Sequence, residues 1–128
     1  MTALIGVFII LHGLVHLWYV VLSFQWVTYQ PDMGWTGKSW LFSAFMPQAT
    51  IRSIAGVLFI IATLPFVVSG IGIFIKANWL NNFILGAAVF SSLVLIMFWD
   101  GKGEMLVQKG TIGLIINLVM IGFVLIRP

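Results

Sequence analysis

Four apolar runs, each about as long as a bilayer's hydrocarbon core is thick, dominate this chain: residues 3–27, 51–75, 79–99 and 110–126. Three of them hold no Lys, Arg, Asp or Glu, and the second holds only Arg52, at its start. About 20 apolar residues in a row cross a membrane as a helix. In lipid the backbone must satisfy its own hydrogen bonds, which leaves helices or closed barrels. The runs lack the alternation of barrel strands, so they are read as helices. Composition points the same way. Of 128 residues, 62% are hydrophobic and 7% charged, whereas about a quarter of a soluble domain is charged. So few polar groups cannot cover a water-facing surface. The expected fold is all-α, an integral membrane four-helix bundle, with 1–128 as a single transmembrane domain and a kink at Pro65. The N-terminal run has no basic region before it and no small-residue cleavage pattern after it, so it is read as a retained span.

An even number of spans places both termini on one side, together with the turn Lys76-Ala77-Asn78. The other side, the loop face, carries residues 28–50 and 100–109. Lys38, Arg52, Lys102 and Lys109 lie on the loop face and Lys76 and Arg127 on the terminal face. Four basic residues against two favour a cytoplasmic loop face. All three acids, Asp32, Asp100 and Glu104, are also there. Six scattered basic residues make no nucleic-acid footprint. With no cysteine, disulfides, thiolate metal sites and iron–sulfur clusters are excluded. In the long connection, Trp26, Tyr29, Trp35 and Trp40 have the look of an interfacial aromatic belt. Its part 39–46 is expected to lie in the headgroup plane as a short helix, or to dip in as a re-entrant turn. It reads as a membrane-hugging loop or as a lid over a site.

The stretch Leu11-His12-Gly13-Leu14-Val15-His16-Leu17-Trp18 holds the only two histidines of the chain. Spaced four apart, His12 and His16 share a helix face, which continues to Tyr19 or Val20 and then Ser23. Titratable residues inside a span are costly and turn inward. The functional reading is a metal, tetrapyrrole, ligand or proton-relay site. The structural one is two neutral rings hydrogen-bonded across helices. The zinc-protease spacing is present without its glutamate, and no acid lies deep in any span, so a buried zinc enzyme is not expected. Two histidines on one helix face cannot clamp a haem from both sides, but one could ligate a tetrapyrrole singly. Gly13 suggests a close helix approach, and Gly56, Gly86, Gly113 and Gly122 suggest the same in other spans.

Asn117 in the fourth run is about 11 Å below the loop face, Ser91 and Ser92 about 12 Å and His16 about 16 Å, at the helical rise per residue. An amide in lipid needs partners, so Asn117 is expected to bond Ser91, Ser92 or His16, with His16 the favoured histidine. Asp100 ends the third run, where the helix macrodipole disfavours an anion. A cationic partner is expected, Arg52 first, with Lys102 and Lys109 as rivals. Nothing pairs a nucleophile with a base, and Gly101-Lys102-Gly103 is too short for a phosphate loop.

The motif His12-Gly13-Leu14-Val15-His16-Leu17 resembles the first span of small four-span prokaryotic membrane proteins loosely grouped as DoxX-like. Trp99-Asp100-Gly101-Lys102, followed by Lys109-Gly110-Thr111-Ile112-Gly113-Leu114-Ile115-Ile116-Asn117-Leu118, is similar to their late motif. The middle of the chain matches neither. The resemblance implies a compact bundle in a prokaryotic cytoplasmic membrane and, through the DoxX name, a faint link to thiosulfate oxidation and quinone reduction. Two expectations follow. One is a non-enzymatic accessory or scaffold subunit that contacts lipid and other membrane subunits, or self-associates. The other is a protein binding a quinone, lipid or small amphiphile below the loop face through His12, His16, Ser91, Asn117, Arg52 and Asp100. An oligomeric small-solute transporter is a third option.

Overall fold

The computed structural model of the chain describes residues 1–127. Four helices follow one another: α1 (Thr2–Ser23), α2 (Gln48–Phe74), α3 (Leu80–Met97) and α4 (Ile112–Ile126), the last entered through a π-helical turn, Val107–Thr111. All four are long and apolar enough to cross a membrane, counting that turn with α4. At the helical rise, α1 extends about 33 Å and α3 about 27 Å, which matches a hydrocarbon core of about 30 Å.

Local chemistry sets the ends. α1 stops at Ser23, short of residue 27, because Gln25 turns left-handed (φ 56°). α2 begins just after Pro47, whose extended backbone serves as its N-cap, and so starts earlier than residue 51. It continues through Pro65 as one helix. The left-handed Lys76 (φ 52°) closes it. Regular geometry in α4 begins at Ile112 because Gly110 (φ 96°) breaks the helix before it.

α1 packs most extensively on α2, α3 on α2, and α4 on α3. The α1–α2 contact is close. A Cβ on Gly13 would sit 2.6 Å from Phe66 Cβ and 3.2 Å from the Thr63 carbonyl. Gly56 likewise makes room for the Phe24 ring, whereas Gly113 is in ordinary contact only. Gly86 and Gly122 have nothing within 4 Å of such a Cβ. They face outward, so the expectation of close packing there is corrected.

The connection between α1 and α2 is folded onto the bundle end. After a 3-10 turn (Pro31–Met33), Trp35 enters the core and is only 3% exposed, unlike the exposed belt residues Trp26 and Trp40. Residues 39–46 form hydrogen-bonded turns, Ser39–Ser43 and Phe42–Met46, and not the short helix that was one of the two expected forms. They do this while satisfying the free carbonyls at the end of α3. Ser39 Oγ donates to the Met97 carbonyl, Trp40 Nε1 to the Ile96 carbonyl (2.6 Å), and Trp40 N to the Trp99 carbonyl (2.8 Å).

The interior is layered. On the loop side lies an apolar cluster built on Tyr19, Trp35, Ile51, Phe59, Val94 and Phe98. On the terminal side lies a second, built on Ile9, Phe66, Ile73, Ile84, Ala88 and Val124. Between them is a thin polar stratum.

Candidate functional site

The polar stratum contains four of the six candidate residues. His12, His16, Ser91 and Asn117 are all buried, Ser91 and Asn117 completely. His12 Nε2 lies 2.8 Å from Asn117 Oδ1, Asn117 Nδ2 donates to Ser91 Oγ at 3.0 Å, and His16 Nε2 lies 2.5 Å from Ser91 Oγ. His16 Nδ1 is 3.1 Å from both the His12 and the Gly13 carbonyls.

These partners determine the protons. Carbonyls only accept, so His16 Nδ1 carries hydrogen and, in the neutral ring, Nε2 accepts. Ser91 therefore donates to His16, and its lone pair receives Asn117 Nδ2. That leaves Asn117 Oδ1 to accept from His12 Nε2–H. The result is a one-way chain from α1 through α4 and α3 and back to α1. In lipid, an unpaired member would cost far more than in water.

Asn117 bonds Ser91 as expected, but the favoured histidine is corrected. Asn117 meets His12, and His16 meets Ser91. Depth along the axis brought Asn117, Ser91 and His16 near one level and left His12 a turn deeper. α1 ends at Ser23 and not at residue 27, which brings His12 up to that level, and direction around each helix decides the rest. His16 is tethered to its own preceding turn, which aims its other nitrogen at α3. Ser92, the other expected partner, donates to the Ala88 carbonyl of its own helix at 2.7 Å. As expected, Tyr19, Val20 and Ser23 continue the inward face of α1. Tyr19 also donates to the Gln108 carbonyl at 3.2 Å, tying α1 to the turn before α4.

Arg52 and Asp100 do not pair, which corrects the second expectation. Asp100 binds its rival partner Lys109, with Nζ–Oδ2 at 2.9 Å and both side chains nearly buried, at 1% and 6% exposure. The Lys102 amide donates to Asp100 Oδ1 at 3.0 Å. Both ends of this ion pair lie in the one short loop that must reverse between α3 and α4, so local geometry favours it. Arg52 instead completes another helix end. Its guanidinium donates to the Leu22 carbonyl at 2.8 Å and the Thr36 carbonyl at 3.1 Å, and stands 5.8 Å from the Trp35 ring centroid.

Among the described residues, no three His, Cys, Asp or Glu side chains gather as a metal site. Three of the four ring nitrogens are engaged, and the His12 ring lies beside Phe8 (centroids 6.3 Å) and Phe66 (4.9 Å).

One concave feature had no sequence signal. A cleft of about 500 Å³ opens on the terminal half between α1 and α4, over α2 and α3. Its walls include Ile5, Phe8 and Ile9 of α1, Ile73 of α2, Ile84 of α3, and Val119, Met120 and Phe123 of α4, with Thr2, Lys76 and Asn81 also lining it. The α1–α4 seam has little backbone contact and is bridged by the His12–Asn117 hydrogen bond. Phe8, stacked on His12, connects the cleft with the polar stratum. In sequence the lining residues look like any lipid-facing ones.

These features define an integral membrane four-helix bundle whose apolar helices contact lipid. No family model, curated protein or solved structure matches the chain.

Proposed function

We propose that this protein is a non-enzymatic membrane protein that holds a small amphiphile in the cleft between α1 and α4. The carrying observation is the cleft itself. It lies within the usual size range of ligand pockets, about 300–1,000 Å³, and has the apolar walls with few polar groups that such pockets share. The polar stratum supports the reading indirectly. Its hydrogen bonds tie α1, α3 and α4 together, which fixes the inner boundary of the cleft. Mass spectrometry of lipid extracts from protein purified in mild detergent tests the proposal. The expected result is one amphiphile class retained by the wild type and depleted in Ile84→Phe, which narrows the cleft. Equal retention by both folded proteins would overturn it.

A second reading is an accessory subunit of a larger membrane complex, or self-association. Helix α4 favours it, because only Asn117 and Val124 of that helix are fully buried, while Ile115, Leu118, Val119 and Leu125 are more than half exposed. The DoxX-like likeness, residence in a prokaryotic cytoplasmic membrane and a cytoplasmic loop face are part of the same proposal. They rest on the motifs and the Lys/Arg count given above.

A further inference from the structure

We infer that the amphiphile is a single-chain carboxylate, with its head at Lys76 and Asn81 and its tail lying between α1 and α4; this rests on the cleft being a ligand site. Lys76 and Asn81 share the lining with apolar side chains, so the cleft joins a cation and an amide donor to a greasy slot. No acidic side chain lies on this end of the molecule. Asp32, Asp100 and Glu104 all belong to the loop-side segments. Among the described residues the one ion pair, Lys109–Asp100, lies on that side too. The α2 macrodipole supplies only about half a negative charge near Lys76, so a net positive potential remains at the mouth. Turn hydrogen bonds from Lys76 N to the Ile73 carbonyl (3.3 Å) and from Ala77 N to the Gly72 carbonyl (3.0 Å) hold the lysine backbone in place.

A carboxylate suits this mouth. It offers two acceptor oxygens, one to the Lys76 ammonium and one to the Asn81 amide. A phosphodiester head offers the same number of free oxygens, so it is the two acyl chains of such a lipid that ask for a wider slot than this cleft of about 500 Å³. From Thr2 to Ile9 the wall of α1 rises about 10 Å. The proximal part of one long chain fits that depth, and its remainder leaves sideways through the open seam into lipid.

The test is competition in phosphatidylcholine nanodiscs at alkaline pH, with labelled oleate displaced by oleate, oleyl alcohol, oleylamine or phosphatidylglycerol. Oleate is expected to bind at least about fivefold more tightly than the alcohol or the amine, the margin of one modest ion pair. In Lys76→Gln that preference should shrink toward parity, while the alcohol binds as before. Phosphatidylglycerol outcompeting oleate overturns the single-chain carboxylate. Equal binding of all four, still weakened by Ile84→Phe, overturns the head assignment and leaves the cleft as a ligand site. Absence of any binding that Ile84→Phe weakens overturns both.

Discussion

The two ends of this bundle solve the same problem differently. On the loop side, the carbonyls exposed by the ends of α1 and α3 are covered by the chain itself. Arg52 reaches the Leu22 carbonyl, and Ser39 and Trp40 reach the Met97, Ile96 and Trp99 carbonyls. Trp35 and Phe98 fill the space beneath. On the terminal side the connection is a short turn around Lys76 whose own backbone caps α2, Lys76 N to the Ile73 carbonyl and Ala77 N to the Gly72 carbonyl, and a cleft of about 500 Å³ lies between α1 and α4. The long aromatic connection covers the loop-side ends of α1 and α3, and a smaller hollow of about 310 Å³ remains there between α3 and α4, lined by Leu95, Trp99, Lys109 and Leu114.

The largest test of this contrast is the ion pair that closes the loop side. Lys109→Met leaves the Asp100 carboxylate nearly buried without its cation, and removal of one partner from a buried pair typically costs about 3 kcal/mol or more. Denaturant unfolding in mixed micelles should show that loss, and Asp100→Asn combined with Lys109→Met should regain much of it. Stability unchanged in the single variant would mean that this end is solvated and not sealed.

Asn117→Leu tests the polar stratum between the two ends. It strands the His12 N–H and one Ser91 lone pair, with an expected loss of about 1–3 kcal/mol. The lower end is favoured because hydrogen bonds between membrane helices average about 0.6 kcal/mol. Because Asn117 links α4 to both α1 and α3, the same variant should raise hydrogen exchange in α4 more than in α2. Uniform exchange across the helices would contradict the view that α4 is held mainly by this residue.

The smallest effects separate packed glycines from idle ones. Gly13→Ala forces a methyl into Phe66 and should destabilise by about 1–2 kcal/mol. Gly86→Ala and Gly122→Ala meet open space and should stabilise by about 0.5 kcal/mol through helix propensity. Paired melting curves would check the sign, and a loss in either outward variant would reveal a neighbour on that face.

Much of the architecture was legible in the chain before any coordinates. Uncharged apolar runs of bilayer length allow little except helices, and the i, i+4 spacing of His12 and His16 requires a shared face. The inward direction of that face follows from the cost of imidazole in lipid, and the structure has it so. The convergence of Ser91, His16 and Asn117 could be read from depth, since each helix rises by a constant amount per residue. Which histidine meets Asn117 could not, because it depends on the rotation of each helix about its axis, and packing sets that rotation. The partner of Asp100 depended on how the short α3–α4 loop reverses, and the task of Arg52 on how a 24-residue connection between α1 and α2 settles on the bundle. That path is encoded by many weak contacts and not by any motif.

The sequence by itself determined a membrane bundle of four helices and the identity of its inward polar face, because hydrocarbon tolerates few other arrangements of backbone and imidazole. Only the tertiary structure decided the direction of the hydrogen-bond chain, the capping of α1 and α3 by the long connection, and the cleft between α1 and α4. Those depend on the space between helices, and a residue such as Val119 or Phe123 has the same chemistry whether it faces lipid or a ligand.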